Sequence, residues 1–510
     1  MSTPTWSFWT RSDRDAVAII DPAGRAHTVG ALQDRCNAIA HGLRGLGLRH
    51  GDVVAMVMRN EADVYALMLA TTQIGLYLVP INWHLAKPEV EHILSDSGAA
   101  VVVCTPDEVA LIPDGLPITR VCTAPAPGFL TLDALASGPI TPPEDRRAGL
   151  VMNYTSGTTG RPKGVKRPLA PWPPEPVVTG FASFLLLFGM SPGEGVQIVG
   201  SPLYHTAVLY FSTSALHLGH RLVVMEKWTP EEMLRLIALH RVTSSHMVPT
   251  QFNRLLAVRN REQYDVSSLR HVVHSAAPCP VPIKRQLLEW WGDCVWEYYA
   301  ATEGGGTVAS PSDWRAHPGT VGRAWQGAEI AIFDDAGNRL GPGEVGTVWI
   351  KMQQGFEYHQ DKAKTERAWR PDGYFTVGDA GFLDAEGWLF LSDRKADMII
   401  SGGVNIYPAE IETVLVTHPA ALDVAVFGVP DDDWGEAVHA VIEARPGFLP
   451  ADGDTSALTA SVLEHCRAQL AKFKCPKTVE WVETLPRDPN GKLAKRKLRD
   501  PFWAAVGRSI

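Results

Sequence analysis

Residues 154–165 read YTSGTTGRPKGV, one residue after the apolar run Leu150, Val151 and Met152. A buried-looking strand gives way to small hydroxyls, glycines and one cation. Thr155, Ser156, Thr158 and Thr159 supply short donors, and Gly157 and Gly160 free the backbone so that N–H groups converge on an anion. Lys163 adds a compact positive charge, and Pro162 stiffens the approach to it. The stretch is not a Walker loop, because Lys163 is followed by Gly164 and no GK[ST] forms. A phosphate cradle of another construction is expected.

Outward from this loop the chain reads as layered α/β. Apolar positions Leu32, Cys36, Ile39 and Leu43 follow Thr28 at helical spacing, with Thr28 as N-cap. Val53–Met58, a helix at about 61–73, a strand at 76–81 and a strand at 99–104 alternate as parallel βαβ units do. The alternation resumes through strands at 195–201 and 221–226, a helix near 230–240 and a strand at 242–248. Between 329 and 393, EIAIFD, GTVWIK, YFTVGD and GWLFLSD are separated by Gly and Pro turns, which suggests antiparallel strands in a small barrel-like subdomain. After DRKAD at 393–397, a helix near 408–416, strands near 422–429 and 436–444, a helix near 456–471 and a strand at 478–482 form a small α+β unit. The expected organisation is a large domain at 1–392, a hinge at 393–397 and a mobile domain at 398–510. The Pro-rich stretch 168–176 reads as a surface loop.

The 510 residues exceed what one core usually serves, and 45% hydrophobic with 20% charged residues is ordinary for globular chains. A net charge of −9 gives no footprint for nucleic acid. Seven cysteines without metal-ligand spacing read as reduced thiols. The N-terminus lacks an apolar signal core, and the span 65–81 is broken by Thr71, Thr72, Gln73, Gly75 and Pro80, as a buried helix and strand would be. A cytoplasmic protein without a transmembrane segment is expected. Peripheral membrane contact and a homodimer stay open.

Further motifs follow in order: VPINWHL (79–85), PLYHTA (202–207), SAAPCP (275–280), YYAATE (298–303), YFTVGD (374–379), DRKADMIISGGVNIYPAEIE (393–412) and LPRDPNGKLAKRKLR (485–499). With the 154–165 loop, they make the chain resemble the adenylate-forming superfamily of acyl-CoA synthetases, peptide-synthetase adenylation domains and luciferases, over about residues 15–500. That resemblance implies an acyl-CoA ligase. A carboxylate attacks the α-phosphate of ATP, giving acyl-AMP and pyrophosphate; the coenzyme A thiol then takes the acyl group and releases AMP.

The resemblance also implies roles. Thr155 to Gly160 and Lys163 hold the pyrophosphate end. Glu303 ligates Mg2+, and Thr302 donates to the α-phosphate. Asp379 takes the ribose hydroxyls, with Arg394 as second contact. Tyr299, beside Tyr298, stacks on adenine against Ala276, Ala277 and Pro278. Ser401, Gly402 and Gly403 line the thiol path. Lys492 bridges the attacking carboxylate and the α-phosphate, and His205 gates the acid pocket; these two join Thr302 and Glu303 as the catalytic set. The hinge position, Asp or Lys in the family, is Ala396 here.

The segment YHTAVLYF lacks the Asp that pairs with an amino-acid ammonium, so neither an amino-acid substrate nor a peptide-synthetase role with a following carrier domain is expected. No insertion of the kind found in CoA-independent acyl-AMP ligases is visible. His205, Val208, Val248, Thr250, Ala277 and Ala301 are the expected pocket lining, and its small residues favour a medium- or long-chain fatty acid. An aryl or cyclic acid is the alternative. A nucleotide-responsive acyl-AMP-binding protein without turnover is the alternative of another class.

Overall fold

The computed structural model describes residues 6–155, 162–193, 195–352, 355–394, 397–401, 404–431, 433–487 and 493–504. The chain divides into two compact units, Met1–His246 with Tyr264–Val272 and Gln354–Ala368, and Met247–Gln263 with Val273–Gln353 and Trp369–Ile510.

In the first unit, six parallel strands run in the order Leu130–Thr131, Thr119–Cys122, Ala99–Cys104, Val53–Val57, Tyr77–Pro80, Leu150–Val151. Val53–Val57 is buried at every position, as a central parallel strand must be when helices cover both faces. The helices Ala62–Gln73 and Lys87–Ser97 are the crossovers. A second parallel set places Val17–Ile20 beside Arg221–Val224, then Val196–Val199, then Ser244–Met247. Thr28 caps the helix Val29–Gly45 by accepting from the Ala31 N–H at 3.1 Å.

The span 65–81 resolves into a helix and a strand, and among the described residues no helix is long and apolar enough to cross a membrane. The Pro-rich stretch departs from expectation. Its first residues form an exposed loop, but Pro174 opens the helix Pro174–Ser183, where a missing N–H costs nothing.

In the second unit the antiparallel texture takes the form of a five-stranded sheet, Ala328–Phe333, Gly346–Met352, Asp379–Leu383 and Leu389–Arg394, with Tyr374–Phe375 on Gly346–Met352. Further on, Ala421–Asp431 pairs antiparallel with Gly435–Ala444, which pairs parallel with Thr478–Val482. The helices Pro408–Leu415 and Ser456–Arg467 pack on this sheet through Ile411, Leu415, Val462 and Cys466. The basic stretch after residue 492 is the helix Lys495–Ala504, not a solvated tail: Lys495 pairs with Glu412 at 2.8 Å, and Trp503 Nε1 donates to the Gly428 carbonyl at 3.1 Å. All seven cysteines are thiols.

Candidate functional site

The centre of the second unit's candidate site is one antiparallel ribbon. Val295–Ala301 turns at Thr302–Glu303 and returns as Gly304–Ala309, pairing Tyr298 with Val308 and Tyr299 with Thr307. The strands pass so closely that a Cβ on Gly306, at φ +155, would sit 1.7 Å from the Tyr299 carbonyl oxygen, so only glycine fits. Glu303 is held in the tight turn at 8% exposure.

Alternation puts Tyr298 and Tyr299 on opposite faces. Tyr299 donates its hydroxyl to Asp379 Oδ2 at 2.7 Å. Asp379 begins its strand directly opposite Arg394 in the ladder. The turn before it is fixed by Thr376, which donates to the Val348 carbonyl at 2.8 Å and accepts from the Gly378 N–H at 3.1 Å. Tyr298 is buried; burial pushes its hydroxyl up to about 12, opposed by a hydrogen bond with Ser275. Ser275 begins the loop in which Ala276 adopts φ +74, a conformation L residues other than Asn and Asp rarely take. Tyr299 therefore meets Asp379, whose backbone pairs with that of Arg394, and the strained Ala276 loop is tied to the Tyr299 strand through Tyr298.

In the first unit, the described ends of the 154–165 stretch lie on neighbouring antiparallel strands. Asn153–Thr155 and Lys163–Lys166 pair antiparallel with Lys163 opposite Thr155, and Tyr154 donates to Asp96 Oδ2 at 2.8 Å. Ser156, Gly157, Thr158, Thr159 and Gly160 lie outside the described residues, as do Lys395, Ala396, Gly402, Gly403 and Lys492. Ser401 pairs with Val404 between the antiparallel strands Ile399–Ser401 and Val404–Ile406.

His205 occupies the N-cap position of the helix Thr206–Leu218, its ring 4.3 Å from that of Tyr204. The two expected motifs converge: Tyr204 OH lies 3.4 Å from His84 Nδ1, His84 stacks on Trp83, and Arg59 sits 5.0 Å above Trp83. Burial, and then the Arg59 charge, hold His84 below its ordinary range. The residue that orders this corner, Asn60, gave no signal in the sequence. It is buried and donates at 3.0 Å to the carbonyls of both Ser201 and Met225, while accepting from the Leu203 N–H at 2.8 Å.

Next to it, Glu61 borders a cleft of about 680 Å³ lined in part by Arg35, Arg59 and Asp63. Burial and the Asp63 charge push its carboxyl from 4.5 up to about 7. The folded chain then keeps a proton that the unfolded chain sheds, so stability falls as pH rises between those values. Glu61→Gln is expected to exceed the wild type in stability by on the order of 2–3 kcal/mol at pH 8, with the gap shrinking toward pH 5. Urea midpoints at the two pH values check this.

Among the described residues no cluster of three or more His, Cys, Asp or Glu is placed to hold a metal. A single buried carboxylate, Glu303, fits Mg2+ that arrives with a polyphosphate, because this ion takes one or two protein carboxylates and fills its other positions with phosphate oxygens and water.

The family model described as AMP-binding enzyme matches residues 7–357, and that of the AMP-binding enzyme C-terminal domain matches residues 410–492. A fatty acid–[acyl-carrier-protein] ligase, ScoC, of Streptomyces coeruleorubidus is 31% identical over 99% of this chain and 97% of its own. A long-chain-fatty-acid–CoA ligase of Mycobacterium tuberculosis is 33% identical over 94% and 93%. Among solved structures, ATP-bound MatB from Rhodopseudomonas palustris superposes with a TM-score of 0.83 at 29% identity, covering 98% of this chain and 99% of that one.

Proposed function

This chain belongs to the AMP-binding enzyme family, and from that premise we propose that it activates a medium- or long-chain fatty acid and transfers it to coenzyme A. The enzyme class is acid–thiol ligase. A carboxylate oxygen of the acid bonds to the α-phosphorus of ATP as the bond to pyrophosphate breaks. The deprotonated thiol then bonds to the acyl carbon, and the bond to AMP breaks. The observation that carries the reading is the Tyr299–Asp379 contact opposite Arg394, beside the Ala276 loop.

In this reading Asp379 accepts from both ribose hydroxyls, and Tyr299 is both adenine platform and clamp on Asp379. Ala276, Ala277 and Pro278 form the other wall, with Tyr298 bracing it from behind. Thr155 to Gly160 and Lys163 neutralise the departing pyrophosphate. Thr302 donates to the α-phosphate, and Lys492 draws the two anions together. Mg2+ bound at Glu303 supplies charge neutralisation on the phosphates. His205, its ring tilted against that of Tyr204, closes the acid side, and Ser401, Gly402 and Gly403 border the thiol path. The proposed organisation is a catalytic body at 1–392, a hinge at 393–397 and a mobile domain at 398–510.

Tyr299→Phe keeps the platform and removes the hydroxyl bond to a charged acceptor. It is expected to raise KM for ATP by about 3–10-fold with kcat little changed, the pattern of lost ground-state binding. Steady-state kinetics with saturating acid check it.

The substrate is tested by pyrophosphate release over acids from butyrate to palmitate, together with benzoate and cinnamate. The reading expects kcat/KM to rise with chain length. Preference for the aryl acids would move the proposal to an aryl-acid ligase, and no release with any acid would favour a binder without turnover. A second reading for the acceptor follows from the likeness to the acyl-carrier-protein ligase: the thiol on a carrier protein's phosphopantetheine arm, which carries the same terminus as coenzyme A.

A further inference from the structure

Beside the proposed adenine platform, on the strand that carries Tyr299, Glu297 enters a buried ion pair. Lys284 Nζ donates to Glu297 Oε2 at 2.6 Å, with side-chain exposures of 0% and 6%. His274 Nε2 lies 3.5 Å from the same oxygen, and the Trp314 ring sits 4.9 Å from the ammonium. Burial pushes the Glu297 carboxyl up, and the Lys284 charge opposes it.

The three partners come from three elements. His274 ends the strand that leads into Ser275–Pro278. Lys284 lies in the first turn of the helix Val281–Trp291 that follows this loop. Glu297 stands on the strand Val295–Ala301, two residues before Tyr299 and on the same face. Both walls of the adenine slot are thus referred to one carboxylate.

Stability does not account for this arrangement. Taking two charges out of water offsets most of their attraction, and packed apolar residues of the same volume generally hold a fold as well or better. What apolar contact lacks is a single bonding distance and direction. We propose that the Lys284–Glu297 pair, with His274 on the same carboxylate, is a positioning device for ATP, fixing the Tyr299 strand against the Ala276–Pro278 loop so that the slot keeps the width of a purine. The proposal rests on the nucleotide reading of Tyr299.

The test replaces both charges at once, Lys284→Met with Glu297→Leu, in the full chain. The expected variant melts at or above the wild-type midpoint, yet its KM for ATP rises by about tenfold, while kcat at saturating ATP and KM for the acid stay within about twofold. A folded variant with wild-type KM for ATP would overturn the proposal and leave the pair a packing feature. Should the double variant not fold, Lys284→Met alone removes the bond while Glu297, left without the ammonium, takes up a proton in place of the buried charge, and an unchanged KM for ATP in that folded variant overturns the proposal equally. Calorimetric titration of the wild type with ATP separates the two levels. Absence of binding there overturns the nucleotide reading itself, whereas binding with insensitive variants overturns only the positioning role.

Discussion

Lys492→Ala slows acid-dependent pyrophosphate release by about 10²–10³-fold, yet leaves thioester formation from added acyl-AMP within a few-fold of wild type. That is the expected result if this ammonium acts where a carboxylate and an α-phosphate, both negative, must touch. A preplaced cation at such a point is worth ~3–4 kcal/mol of barrier in a water-poor site. Once the mixed anhydride exists the two anions have already joined, and the second half-reaction no longer needs the charge. The two halves are read separately, by pyrophosphate release and by thioester formation from synthetic acyl-AMP. Equal loss of both would contradict a role confined to adenylation.

The second large effect is structural and falls on Asn60. Asn60→Ala removes one side chain and strands three buried backbone groups, the carbonyls of Ser201 and Met225 and the N–H of Leu203. Each unsatisfied buried group costs ~1–3 kcal/mol, so a loss of about 3–9 kcal/mol is expected, read from urea denaturation of the full chain. Because Leu203 precedes Tyr204 and His205, the surviving folded fraction should also show a raised KM for the acid. Asn60→Asp restores the acceptor but not the donors, and its stability should fall between the two.

The parallel strands were legible because they are short apolar runs bounded by Gly and Pro, and Ala99–Cys104 and Thr478–Val482 fall where the pattern puts them. Helices with one wet face were equally plain, as at Pro230–His240. The helix Thr206–Leu218 was not, because ten of its thirteen residues are buried and no polar stripe marks a period. Pro249–Leu256 and Val281–Trp291 open with proline in the first turn, a start signal present in the sequence that carries little weight without a periodic run behind it.

The site was legible as a set of motifs. Its internal bonding was not. YFTVGD and YYAATE point to Asp379 and Tyr299 separately, and only the fold shows that one donates to the other. The composition of the 154–165 stretch suggests an anion cradle but does not show that its two ends pair; the register of Lys163 opposite Thr155 does. Asn60 in RNEAD and Lys284 in PIKRQ look like surface residues because burial of a polar group depends on partners more than a hundred residues away for Asn60, and on a neighbouring strand for Lys284.

The central claim is that an oxygen of the acid becomes an oxygen of AMP. It is tested most directly by supplying a fatty acid labelled with ¹⁸O in its carboxylate, together with ATP, Mg2+ and coenzyme A, and weighing the nucleotide product. Attack on the α-phosphorus followed by thiolysis at the acyl carbon predicts AMP carrying one ¹⁸O per acyl-CoA formed. Unlabelled AMP, or ADP with the label in inorganic phosphate, would contradict it.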